Sequence, residues 1–390
     1  MIDILVVAHA PFTAINRRPY AELARRGWSV EMAIPRRLPF EAREAGPATP
    51  DDPPIHWVTT AGSINSRYWS FPELASLLQA RRPRMVILEN EPDSRIAQAL
   101  ARWSLAHRAR LLLISNENDL PPVLPALMAG RWKPALRALR SRIMVAPSRG
   151  GIDHVFSICD DGVEAMSRLG LGGRVSKVPL GFDPAVFHPD AEARSEVRAQ
   201  LGVTEPVVAY IGRMTPIKGV HLLLDALDQL GDRSWRFLID DAFQGPGDYA
   251  RKIRARIEAS DVLRKRTLSF AANHVEVARY MNAADIVVAP SIWKEQYGRV
   301  APEAMACGKA VIVSDAGALP ELVGDAGVVT PMGDVVALAA AIGELLDHPA
   351  KREELGAAAA QRALAELSLP RQIDCMDAVL RRLSTAEGPA

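Results

Sequence analysis

Cysteine is scarce in this chain. Cys159, Cys307 and Cys375 are odd in number, far apart and without metal-ligand spacing. That excludes a disulfide scaffold and a Cys-rich zinc module, and it fits a reducing compartment. No apolar run approaches the ~18 residues of a membrane-spanning helix. The opening stretch Met1-Ile2-Asp3-Ile4-Leu5-Val6-Val7 is too short, and lacks the basic start, for a leader peptide, so a cytoplasmic location is expected. Aromatics are few and are not interleaved with the arginines, which argues against nucleic acid as a partner. Two phosphate motifs are missing as well. No GxGxxG follows the first apolar run, against a nicotinamide enzyme, and no GxxxxGK[ST] occurs, against a P-loop kinase.

A large net charge is lacking only in total. The chain carries +1, but residues up to Phe187 hold 24 Lys and Arg against 18 Asp and Glu, or +6, and the remainder is −5. A basic first half points to an anionic contact.

What is present is a soluble two-domain composition. At 390 residues, 48% hydrophobic and 24% charged, the chain exceeds one ordinary core. Short apolar runs alternate with helix-like stretches. Strands are predicted at Ile2–Val7, Val30–Ile34, His56–Thr59, Met85–Glu89, Leu111–Ser115, Val155–Ile158 and Val175–Val178, and again at Val207–Ile211, Arg236–Ile239, Thr267–Phe270, Asp285–Ala289, Val311–Ser314 and Val328–Thr330. Such alternation implies parallel sheets covered by helices, hence an α/β protein with two Rossmann-like domains whose ligands bind at the carboxyl ends of strands. The Pro-rich bridge Pro179–Pro189 is the expected hinge. The expected division is 1–185, 186–368 and a helical tail, 369–390.

Two segments of the second half carry chemistry. Glu295 and Glu303 lie in SIWKEQYGRVAPEAMACG with seven residues between them. Gly298 and Pro302 forbid one continuous helix across both, so Glu295 falls in a loop and Glu303 in the first turn of a helix ending at Gly308. Backbone N–H groups of Gly298, Arg299 and Val300 then surround a helix start, which suits an anion. Upstream, YIGRMTPIKG hangs Arg213 and Lys218 just beyond a strand. Singly these residues have ordinary explanations: the helix dipole favours Glu303, and loop charges are usually solvated. Together they offer cations for a diphosphate and carboxylates for sugar hydroxyls.

Glu295–Val323 resembles the signature of family-4 retaining glycosyltransferases of the GT-B fold: Glu, seven residues, Glu, Ala-Met-Ala-x-Gly, an apolar strand, then a Gly/Pro-Glu turn. Gly212–Gly219 is similar to that family's phosphate-binding loop, and LIDDAFQGPG resembles its Gly-Pro turn in altered form. The likeness covers most of Val207–Val329; over the first half it is one of layout. It implies a hexose-type transfer from a UDP-, GDP- or ADP-sugar to a glycan, glycolipid or small-molecule hydroxyl in bacterial glycan assembly. Domains would face across a cleft, and the final helix would return to the first. Arg213, Lys218 and Glu295 would act in catalysis. Gly212, Phe270, Val275, Tyr297, Gly298, Arg299, Val300 and Glu303 would complete the donor site, with Glu303 on the ribose diol and base contacts largely through backbone. No metal or other cofactor is implied. The acidic pairs Asp160-Asp161 and Asp240-Asp241 are set aside as metal ligands because adjacent side chains diverge. The alternatives are a nucleotide-sugar hydrolase or epimerase of the same fold, or a non-catalytic assembly protein.

The first half departs from the family pattern. Its usual glycine-rich loop is replaced by His9-Ala10-Pro11-Phe12-Thr13, and its usual histidine by Ser115-Asn116-Glu117-Asn118. Glu89-Asn90-Glu91 ends another strand. His9, Phe12, Glu89, Glu91, Asn116 and Glu117 are therefore candidates for the acceptor or donor-sugar cleft. For Glu89 and Glu91 the competing reading is a plain strand-end turn, with Asp93 or Ser94 capping the next helix; His9 is either a cleft residue or a satisfied strand-end histidine.

Finally, Arg131–Met144 predicts a basic amphipathic helix. Leu136, Leu139 and Ile143 share a face, Trp132 stands beside them, and Arg131, Lys133, Arg137, Arg140 and Arg142 supply charge. Either the apolar face packs on the first domain or the helix lies on an anionic bilayer, where a lipid-linked acceptor would be met. The +6 charge of this half favours the bilayer, and with it a peripheral place at the inner face of the plasma membrane.

Overall fold

The computed structural model describes residues 1–38, 44–62, 65–240, 247–273 and 276–385, apart from the side chain of Phe12. They form two compact units, Met1–Pro179 with Gln372–Ala390, and Leu180–Arg371. These divisions fall at Pro179/Leu180 and Arg371/Gln372, against the expected 185/186 and 368/369.

The first unit is built on seven strands, β1 (Ile4–Val7), β2 (Val30–Pro35), β3 (Ile55–Val58), β4 (Met85–Glu89), β5 (Arg110–Ser115), β6 (His154–Ser157) and β7 (Val175–Lys177). Their order is β3-β2-β1-β4-β5-β6-β7, and every pairing is parallel. The second unit carries β8 (Val207–Tyr210), β9 (Arg236–Asp240), β10 (Thr267–Phe270), β11 (Ile286–Ala289), β12 (Ala310–Ser314) and β13 (Val328–Thr330), in the order β10-β9-β8-β11-β12-β13, again all parallel. The predicted strands form, with ends displaced by up to two residues.

Continuous apolar strands such as ILVV in β1 and IVVA in β11 are buried on both faces, as a sheet covered by helices requires. In the second unit the covering helices Val220–Leu227 and Val335–Asp347 pack together over Phe237, Ile286 and Ile312. Strand order reverses between β1 and β4 in one sheet and between β8 and β11 in the other. Those two places are where an open parallel sheet leaves a crevice for a ligand.

The last helix, Leu369–Thr385, joins the first unit from Gln372 onward. Ile373, Met376 and Leu380 are buried. The Trp28 indole N–H donates to Asp377 at 2.7 Å, and Arg26 pairs with Asp374 at 2.8 Å.

Candidate active site

The reversal point of the second sheet gathers the predicted diphosphate and sugar residues. The loop after β8 runs from Ile211 and Gly212 through the exposed Arg213 to a single 3-10 turn, Pro216–Lys218. The Tyr210 hydroxyl donates to the Arg213 carbonyl at 2.8 Å, which folds the loop back on its strand. Gly219 follows at φ 69°, and a Cβ there would stand 1.9 Å from the carbonyl oxygen of Pro290. Only glycine lets the β8 loop press so closely on the end of β11. The Ile292 N–H then donates to the Ile217 carbonyl at 2.9 Å, stitching the two loops together.

This stitching brings charge together. Lys218 Nζ lies 2.7 Å from Glu295 Oε1, and the Ser291 hydroxyl donates to the same oxygen at 2.6 Å. Both charged side chains are largely buried, so the pair is held more firmly than a surface ion pair. Glu295 is fixed from behind as well. Its carbonyl accepts from the Ala318 N–H at 3.1 Å, and its backbone bridges to Gly317, where a Cβ would come within 2.2 Å of that carbonyl.

Gly298 and Arg299 lead into the helix Val300–Ala306. Glu303 in its first turn is 6% exposed, and burial pushes its carboxyl up to about 7, against the pull of the Arg299 guanidinium. The two groups are 3.4 Å apart. A third cation, Arg299, thus accompanies Arg213 and Lys218 on this sheet end.

Phe270 and Tyr297, both expected in the donor site, have buried side chains. Phe270 is buried and stacks on Tyr280, with centroids 4.0 Å apart. Tyr297 is buried, and burial drives its hydroxyl pKa upward. Val275 and the Gly-Pro turn at 241–246 lie outside the described residues. Of the acidic pairs, Asp160 opens a helix and pairs with Lys177 at 2.8 Å, and Asp240 is buried at the end of β9. Among the described residues no three His, Cys, Asp or Glu side chains come together as a cation site.

The first unit places its candidates at the ends of β1, β4 and β5. Glu89 accepts from the Tyr20 hydroxyl, and Glu91 from the Ser115 hydroxyl and the Asn116 N–H. Burial pushes both carboxyls up to about 7, opposed by those hydrogen bonds. Glu117 is buried between two guanidiniums, with Arg67 at 2.6 Å and Arg137 at 3.4 Å. Asn116 is exposed. His9 is half-buried, its ring edge-on to Trp69 at 5.3 Å, and burial lowers its pKa. Ser94, not Asp93, caps the helix after β4. Asp93 instead binds Arg67 at 2.8 Å and the Ser141 hydroxyl at 2.6 Å. The Arg67–Asp93–Ser141 cluster leaves no pattern in the sequence, where Asp93 read only as a helix-cap candidate. Arg67 stands in a polar stretch without periodicity, and Asn90, which donates to the Ser66 carbonyl at 3.1 Å, helps tie that stretch to the segment after β4.

Comparison with known proteins decides the family. A model described as "Glycosyl transferases group 1" matches residues 193–362, and one described as "Glycosyl transferase 4-like domain" matches residues 15–181. The chain belongs to the family-4-like glycosyltransferases. A D-inositol 3-phosphate glycosyltransferase of Segniliparus rotundus is 32% identical over 194 residues, which is 49% of this chain and 43% of that protein. The chain spans about half the length of the curated relatives it matches. Among solved structures, a sucrose-phosphate synthase from Thermosynechococcus elongatus superposes with TM-score 0.75 at 22% identity, over 99% of this chain and 100% of the other. Anabaena Alr3699/HepE in complex with UDP-glucose gives 0.72 at 21%, over 98% and 100%. Both show that the chain has the GT-B fold.

Proposed function

We propose that this chain moves a hexose-type sugar from a nucleoside-diphosphate sugar to a hydroxyl of a glycan, glycolipid or small-molecule acceptor, with retention at the anomeric carbon and without a metal. The observation that carries the reading is the Lys218–Glu295 pair, 2.7 Å apart at the reversal point of the second sheet. One partner suits a diphosphate and the other a sugar hydroxyl, and stitched loops hold both in place. That HepE is seen with UDP-glucose supports a donor of this class.

In this reading the bond from the anomeric carbon to the phosphate oxygen breaks while the acceptor oxygen bonds to the same face, and its proton passes to the departing phosphate. Negative charge grows on the diphosphate as the bond opens. Lys218, held by Glu295, and Arg213 on the same loop would stabilise that charge, the kind of electrostatics that dominates many catalysed reactions. Glu295 holds donor-sugar hydroxyls and Glu303 the ribose diol. The cations supply what a metal would otherwise supply. The acceptor is met at the inner face of the plasma membrane.

A second reading, nucleotide-sugar hydrolysis, draws on Glu91, whose carboxyl is shifted to about 7 and could take a proton from water near neutral pH. Incubation with UDP-, GDP- and ADP-sugars separates the readings. Acceptor-dependent nucleotide release with an anomerically retained product supports transfer. Release that ignores the acceptor supports hydrolysis, and no release with any donor removes both.

A further inference from the structure

The expected amphipathic helix forms as Trp132–Val145, packed against the short helix Val123–Met128. Its sides are the reverse of the ordinary arrangement. The small residues Ala135, Ala138 and Ser141 face inward with Val145. The large apolar residues face solvent: Trp132 is 57% exposed, Leu136 54%, Leu139 43% and Ile143 63%, and Leu124 and Met128 on the neighbouring helix are more exposed still. The alternative that the leucine face packs on the first unit is therefore excluded. So large an apolar surface on one pair of helices marks an interaction site.

Charge tells what covers it. From Leu120 to Ile152 the chain holds no Asp or Glu, yet it holds Arg131, Lys133, Arg137, Arg140, Arg142 and Arg149. Two of these have partners within the unit. Arg137 reaches Glu117 and, at 3.2 Å, Asp119, while Arg140 bonds the Tyr68 hydroxyl and lies over its ring. Arg131, Lys133 and Arg142 are exposed and make no ion pair among the described residues. A second copy of this face would bring cations against cations. A surface of anionic headgroups over acyl chains would answer both the apolar stripe and its basic border.

We propose that the exposed side of helices Val123–Met128 and Trp132–Val145 docks on an anionic lipid bilayer, with Trp132, Leu136, Leu139 and Ile143 entering the headgroup boundary and Arg131, Lys133 and Arg142 meeting the phosphates. This deepens the membrane part of the proposed function and is independent of its donor chemistry. Arg137 and Arg140 are engaged within the unit, so reversing their charge would disturb the Glu117 cluster and the Tyr68 contact instead.

The test is co-sedimentation of the full chain with vesicles of phosphatidylglycerol and phosphatidylcholine, and with phosphatidylcholine alone, at low and high salt. The expected result is binding to the anionic vesicles only, weakened by salt. Leu136→Ser/Ile143→Ser and Arg131→Glu/Lys133→Glu/Arg142→Glu should each weaken it by about tenfold or more. All five positions are exposed, so melting temperature should hold in both variants. Equal binding to neutral vesicles, undiminished binding by the leucine variant, or no binding by the unaltered protein would overturn the proposal. So would an oligomer that Leu136→Ser/Ile143→Ser dissolves, since a second copy would then cover the face. Nucleotide release measured without vesicles reads the donor chemistry separately: its loss beside intact vesicle binding would count against the glycosyl-transfer reading alone.

Discussion

At the scale of single residues, Lys218 bears the heaviest role. Its ammonium already sits 2.7 Å from a carboxylate, so it is positioned before any donor arrives. Lys218→Ala should lower turnover by roughly two to three orders of magnitude, the usual cost of one charge stabiliser at a transition state. Circular dichroism should show the fold intact, and near-normal steady-state turnover would remove the diphosphate role. Glu303 gives a pH signature. Burial raises its carboxyl from the ordinary 4.5 to about 7, so the folded state holds the proton more tightly than the unfolded chain. That contribution to stability is full below about pH 4.5 and is lost as pH rises through about 7. Glu303→Gln should therefore flatten part of the fall in urea midpoint between pH 5 and pH 8; an unchanged slope would contradict the burial argument. Lys218, Glu295 and Glu303 were legible because glycine and proline punctuate their segments. That the rings of Phe270 and Tyr297 are buried was not legible, since short sequence patterns do not say whether a ring faces ligand or core. The Arg67–Glu117 contact joins positions far apart in sequence, and neither belongs to a pattern with a period.

At the scale of elements, strands were the easiest to read. Runs such as VVAY and IVVA are apolar throughout because parallel strands are buried on both faces, and that leaves a signal independent of tertiary context. Their order was not legible: nothing in β8 says that it lies between β9 and β11. The helix at 132–145 shows the limit of periodicity. Its leucine stripe was visible, but which face would meet the protein depended on Ala135, Ala138 and Ser141 fitting closely against the first unit. The final helix was expected to return to the first unit, and its packing there is now specific. Leu380 is fully buried, so Leu380→Ala should cost about 2–5 kcal/mol by loss of transfer energy and cavity formation. Thermal melting should show the loss, and an unchanged midpoint would mean that the helix contributes no core to that unit.

At the scale of the whole molecule, the chain divides its charge between halves, and the basic half carries the exposed apolar helices. The acidic half nevertheless concentrates Arg213, Lys218 and Arg299 at one sheet end. With that much fixed positive charge, sugar transfer is predicted to survive EDTA. Complete loss with EDTA and rescue by magnesium or manganese would show that a metal carries the diphosphate charge. If the second unit grips a diphosphate, a matching nucleoside diphosphate should stabilise the folded chain against heat. A ligand that binds only the folded state raises the melting temperature by mass action, by about 2.7 kcal/mol of stability at a hundred times its dissociation constant. A clear shift is expected with at least one of UDP, GDP or ADP, a much smaller one with the matching monophosphate, and loss of the difference in Lys218→Ala. Equal shifts with mono- and diphosphate, or a full diphosphate shift in the lysine variant, would contradict it.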